Sequence, residues 1–172
     1  PDAMASELLA LMEPEEAADV RRLLEYGEQS AGGLMTTEPI VLGPEDTIAM
    51  ALAHARKREF SPAIATVIFV TRPPHETPTG RILGLLHLQR ALREPPHGLV
   101  GNFLDKDIEG VLPNDHFTKA ARLMATYNST IVPVLDEQRR LLGAVSVDDV
   151  LDEMLPENWR ESDEDPHSEE AT

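Results

Sequence analysis

The sequence contains no cysteine, and only 4% of its 172 residues are Phe, Trp or Tyr. Without thiols there is no disulfide framework, no Cys-ligated zinc or iron–sulfur cluster and no thiol nucleophile. With so few rings, Leu, Ile, Val, Ala and Met must build the core. Basic residues are also scarce: 15 Lys and Arg face 31 Asp and Glu, a formal net charge of −16. So acidic a surface repels phosphate backbones and anionic lipid. Nucleic acid and membrane surfaces are therefore poor partners, and cations or basic proteins are better ones. Long apolar runs are missing too. The longest, Pro62 to Val70, falls far below the roughly 18 residues of a membrane span. No basic stretch followed by an apolar one opens the chain as a signal peptide would. On these counts the chain reads as a soluble, cytoplasmic protein with no direct membrane insertion.

What is present divides into parts by pattern. Residues 1–30 carry the helical spacing Ala5, Leu8, Leu9, Leu11, Met12, then Ala17, Val20, Leu23, Leu24. Pro14 sits at a first helical position, followed by Glu15 and Glu16 where the helix dipole favours acids. Two helices this short cannot bury a core alone, so they read as the end of a larger helical domain cut upstream. Residues 156–172 are rich in acids, with Trp159 their only large apolar residue, and predict a disordered tail ending at a natural C-terminus.

Between them lies an internal repeat. Leu34-Met35 matches Phe103-Leu104, Pro44-Glu45-Asp46 matches Pro113-Asn114-Asp115, and Ala51-Leu52 matches Ala120-Ala121, all at an offset of 69. Ile82 to Leu86 matches Leu141 to Val145 at an offset of 59, and the Pro-rich stretch Thr71 to Gly80 is assigned the ten extra residues. Each copy reads β-α-β-β-α. The expected strands are Thr66 to Val70 and Ile82 to Leu86, then Thr130 to Leu135 and Leu141 to Val145, supported by β-branched content and alternation. The expected fold is α/β (α+β): two pseudo-symmetric motifs, 31–98 and 99–155, each too small to bury a core without the other.

Several features admit a functional or a merely structural reading. Ser146 with Asp149 three residues later fits a capping box. Asp148, Asp149, Asp152 and Glu153 share a short helical span, which suits Mg2+, a hard cation that takes one or two carboxylates; a solvated acidic helix start fits equally. Gly32-Gly33 lacks the Lys-Ser/Thr of a phosphate loop and reads as a hinge. His54, His75, His87, His97 and His116 show no metal-ligand spacing, and no Ser-His-Asp set or nucleophile elbow occurs. No catalytic constellation can be assembled, so an enzyme is not expected. The Thr71–Gly80 loop reads as an inert insertion, and Phe117 and Tyr127 as core residues.

The residues Met35-Thr36, Val132-Pro133-Val134 and Gly143 to Asp149 make the chain resemble a pair of CBS motifs, the Bateman module. The junction Glu28 to Thr36, with Ala121 to Tyr127 and Ser146 to Asp152, is similar to the cytosolic region of MgtE-type magnesium transport proteins. The resemblance implies that residues 1–30 end an N-terminal helical domain, and that a membrane transport domain lies outside this chain. It implies Mg2+ at acidic surfaces, with Asp148, Asp149, Asp152 and Glu153 facing Glu16 and Asp19. It also implies ATP or another adenine nucleotide in the CBS pair, held by Ser146, Asp149, Thr130 and Pro133, with Asp149 on the ribose. Nucleotide contact and simple capping by Ser146 and Asp149 remain open together. In the first copy Arg90 replaces the ribose Asp, leaving one expected site per chain. The resemblance further implies a homodimer through the CBS pair, with Ala51, Ala120 and Ala121 allowing close approach. The alternative is a soluble CBS adaptor with no transport role.

Overall fold

The computed structural model describes residues 2–155, apart from certain side chains of the first two helices. The tail, with Trp159, lies outside the described residues. Helices α1 (Asp2–Ala10) and α2 (Pro14–Leu24) open the chain, with Pro14 in the first turn of α2 as expected. Only Leu9 and Ala17 of their described apolar side chains are buried, while Leu8, Leu11 and Leu24 are exposed. A helical turn, α3 (Ala31–Leu34), leads into the first repeat.

That repeat comprises β1 (Val41–Leu42), α4 (Ile48–Ala55), a turn α5 (Pro62–Ala65), β2 (Val67–Thr71), β3 (Ile82–His87) and α6 (Leu88–Ala91). The second has α7 (Phe117–Tyr127), β4 (Ile131–Leu135), β5 (Leu141–Ser146) and α8 (Val147–Met154). β1 runs parallel to β2, which pairs antiparallel with β3; β4 pairs antiparallel with β5. The second copy's first strand is reduced to one parallel bridge, Val111 to Val134, the equivalent of Leu42 beside Val70. Observed hairpin strands lie within one residue of expectation.

The ten-residue insertion is divided. β2 and β4 are related by 64, as Val67 and Ile131 show, so five extra residues already precede β2, around α5. Only the other five belong to the β2–β3 loop. A sequence match that resumed at Ile82 could not see this step.

Pseudo-symmetry extends to single hydrogen bonds. Ala31 N–H donates to Asp115 C=O and Val100 N–H to Asp46 C=O; Gly32 donates to Pro113 and Gly101 to Pro44. The segment before each repeat crosses to the other's last strand: Thr36 bridges Ala144 in β5, and Asp105 bridges Leu85 in β3. Two self-equivalent pairs mark the axis, Thr66 Oγ1 to Thr130 Oγ1 at 2.7 Å and the bridge Arg81 to Arg140. Such crossing makes each repeat's core incomplete without the other. Beside the two repeat cores, a third cluster joins them through Val67, Phe69, Ile82, Ile131, Leu141 and Ala144.

Two expectations fail on packing grounds. Ala51 and Ala120 are fully buried within their own repeats' cores, so neither can form a dimer surface. Gly32-Gly33 is no hinge: Ser30 caps the α3 turn by accepting from Gly33 N–H, and a Cβ at Gly32 would lie 2.6 Å from the Tyr26 ring. The glycines are there for close packing.

Candidate functional site

A cleft of about 590 Å3 opens between the repeats. One wall is the end of β3 and the start of α6, with Leu85, His87, Leu88 and Gln89; the opposite wall runs from the end of α7 through Pro133. The strand-like segment from Asp105 to Glu109 forms a third side. Asp105 is held there by paired backbone hydrogen bonds with Leu85, each 2.8 Å. Alternation then turns Asp105, Asp107 and Glu109 toward the cleft while Ile108 is buried in the third cluster. His87 Nε2 stands 3.7 Å from Asp105. Tyr127 is exposed and lines the cleft; the Glu109 carboxylate accepts from its hydroxyl, which raises the phenol pKa. The expectation that Tyr127 belongs to the core is therefore corrected, whereas Phe117 is buried in it. Asn128, in the left-handed region at φ 51°, ends α7 and starts the turn into the cleft wall.

The residues expected to hold a nucleotide divide between the two halves. Thr130 and Pro133 line this cleft. Ser146 and Asp149 do not line it; they start α8, in the pseudo-symmetric half. There the capping reading is realised in full: Ser146 Oγ lies 2.5 Å from Asp149 Oδ2, Ser146 N–H donates to the same oxygen at 3.2 Å, and Asp149 N–H donates back to Ser146 Oγ at 3.3 Å. Arg90 also stays out of the cleft, reaching Glu94 at 3.5 Å and lying 5.8 Å over the Phe103 ring.

Of the acids considered for Mg2+, Asp148 and Asp152 are exposed on α8, Glu153 accepts from Gln29 Nε2 at 3.2 Å, and Glu16 is exposed on α2. The Asp19 side chain lies outside the described ones. Among the described residues no group of three or more His, Asp or Glu is placed to hold a metal ion, so these acids do not form a ready-made site. No helix among them is long and apolar enough to cross a membrane.

The cleft acids were missed by sequence reasoning, although the spacing Asp105, Asp107, Glu109 carried a signal: alternation marks one face of an extended segment. A smaller cavity of about 380 Å3 lies between Leu23 and Tyr26, the Met35–Val41 linker and the loop from His75 to Pro78. The loop is anchored there by Thr77 Oγ1 donating to Thr37 C=O at 2.6 Å, so it is not an inert excursion.

Comparison with known proteins accords with this geometry. Residues 100–156 match the CBS domain family. The magnesium transporter MgtE of Thermus thermophilus is 34% identical over 142 residues, 83% of this chain and 30% of that protein; the chain thus spans under a third of that relative's length. A crystal structure of the cytosolic domain of the Mg2+ channel MgtE in complex with ATP shares 34% identity and a TM-score of 0.73, over 86% of this chain and 57% of that one. A CBS domain pair crystallised with 5′-methylthioadenosine and S-adenosyl-L-methionine has 16% identity and a TM-score of 0.60, over 73% and 94%, a likeness of fold alone. The chain is a pair of CBS motifs preceded by helices, homologous to the cytosolic region of MgtE-type magnesium transporters.

Proposed function

We propose that this chain is a regulatory, ligand-sensing module of a magnesium-transport protein, cytosolic in location, responding to Mg2+ at its acidic surfaces and to an adenine nucleotide between its repeats. In this reading residues 1–30 end an N-terminal helical domain, the CBS pair forms a homodimer, and a membrane transport domain outside this chain receives the signal. The observation that carries the proposal is the 34% identity to an MgtE relative over 83% of the chain. The joint between helices and repeats is built to transmit: Phe117 N–H donates to Gln29 C=O, and Gln29 reaches Glu153 at the end of α8.

Mg2+ would act through charge. A net charge of −16 opposes compaction, and a divalent ion shared between acidic faces offsets it. Since no described group is assembled to hold the ion, Mg2+ should bind weakly, in the millimolar range. A ligand at one to a few times its Kd stabilises by about 0.4–1 kcal/mol, equivalent to about 1–4 °C in a chain of this size. The test compares melting in MgCl2 and in NaCl at matched ionic strength, with the Asp148→Asn, Asp152→Asn double variant alongside. Mg2+ should exceed NaCl by those few degrees in the parent and less in the variant. Equal shifts by both salts would favour the CBS adaptor with no transport role. A full Mg2+ response in the double variant would move the ion away from α8.

A further inference from the structure

The cleft between the repeats has a lining whose charge disagrees with ATP. Its charged residues are Asp105, Asp107 and Glu109, with His87 the one titratable base, and no Lys or Arg lines it. Lys106 sits between two of these acids in sequence yet does not line the cleft, and Arg90 is engaged with Glu94 and the Phe103 ring. A phosphate monoester carries about −1.5 to −2 charges at neutral pH. Placed here it would face three carboxylates, in a chain already at −16, with no cation in the lining to offset them. The rest of the lining suits a flat, mostly apolar body: Leu85, Leu92, Leu123 and Pro133 supply the walls and Tyr127 a ring. The volume, about 590 Å3, falls in the usual range for small-molecule sites. Carboxylates are also good acceptors for the paired hydroxyls of a ribose.

We infer that this cleft takes a purine nucleoside without phosphate groups, neutral or positively charged, in preference to AMP or ATP. The inference rests on the reading that the cleft between the repeats binds adenine derivatives, and it specifies their charge. The capped half at Ser146 and Asp149 is not included in it.

Ligands of one base and graded charge test it: S-adenosylmethionine, adenosine, AMP and ATP, titrated calorimetrically into the whole chain at pH 7 with EDTA present. Adenosine and S-adenosylmethionine should bind, AMP at least about tenfold more weakly than adenosine, and ATP more weakly again. The variant Asp105→Asn, Asp107→Asn, Glu109→Gln should narrow the adenosine–ATP gap by about tenfold and weaken S-adenosylmethionine. Its melting curve checks the fold, and Asp107→Asn alone, at an exposed position, should narrow the gap severalfold if the triple variant does not fold. ATP binding as tightly as adenosine in the parent overturns the inference while leaving nucleotide sensing in place. An undiminished gap in a folded neutralised variant overturns it as well, because the acids would not be its cause. Heat from none of the four ligands removes both the inference and the nucleotide part of the proposed function; the magnesium part is read separately by melting.

Discussion

The first repeat leaves its hairpin through His87 into a single helical turn, while the second leaves through Ser146 into a helix twice as long. The two positions are equivalent, related by the same offset of 59 that relates Ile82 to Leu141. Ser146 supplies a side-chain oxygen to the orphan N–H groups of its helix, and Asp149 closes the box while adding a negative charge at the dipole's positive end. His87 makes no side-chain cap, and Arg90 puts a positive charge where Asp149 stands in the other copy. A cap therefore does two things at once. It lengthens the helix, and it turns the polar groups at the helix start inward on one another. The uncapped start is the one that lines the open cleft.

The comparison can be broken hardest at the glycines that let the repeats cross. Gly84 and Gly143 are equivalent, and neither has positive φ, so space rather than conformation demands them. A Cβ at Gly143 would lie 2.4 Å from the Thr36 carbonyl oxygen and 2.9 Å from Met35 Sδ. At Gly84 the nearest atoms, the Asp105 carbonyl oxygen and Leu104 Cβ, are 2.8 Å away. Gly143→Ala should cost about 2–3 kcal/mol and Gly84→Ala about 1–2 kcal/mol, within the usual range for overpacked sites. Thermal or urea unfolding of the two variants measures this. A larger loss at Gly84 would mean that the first crossing, not the second, is the tighter.

The helix starts come next in size. Ser146→Ala should cost about 1 kcal/mol, the usual loss of a side-chain cap. The reverse exchange, His87→Ser with Arg90→Asp, builds the missing box and should gain up to about 1 kcal/mol. Both are read as melting shifts of a few degrees. A neutral result for the exchange would show that α6 is short because of what packs around it, not because it lacks a cap.

Much of this comparison could be read from the residues before any coordinates. Strand alternation and the Gly-centred hairpin ends located four of the five named strands closely, because side-chain period and β-branching are local signals. The Ser146–Asp149 box was legible for the same reason. What could not be read was relative placement across the pseudo-twofold axis. Thr130 and Pro133 fall in one half-site and Ser146 and Asp149 in the other, since each repeat contributes to both halves. The five residues around α5 were credited to the Pro-rich loop because helices and loops carry no register that a sequence offset can follow. Ala51 and Ala120 looked like contact residues, but small side chains serve an internal helix–strand approach as well as an external one.

The smallest expected difference lies in the hairpin turns. Asp136 opens the short turn of the second hairpin, accepting from Gln138 N–H and Arg140 N–H through Oδ1 and from Arg140 Nε through Oδ2. Burial pushes its pKa up, but the hydrogen bonds from Arg140 and Gln138 outweigh that and hold it below the ordinary carboxylate value. A folded-state pKa below the unfolded one means that this stabilisation is present above the unfolded value of about 3.9 and is lost as pH falls through the folded value. Arg140 is nearly half exposed, so the ion-pair part is worth less than about 1 kcal/mol. Asp136→Asn should accordingly be less stable than the parent at pH 7, and the difference should shrink once pH falls below about 4. Urea midpoints at pH 7, 5 and 3.5 provide the measurement. The longer turn of the first hairpin is held instead by neutral groups, with Thr79 Oγ1 accepting from Leu141 N–H at 3.1 Å, so Thr79→Val should show a deficit that does not change over the same range. A deficit at Asp136→Asn that persists undiminished to pH 3.5 would assign the short turn's stability to its shape, and the two hairpins would then differ in length alone.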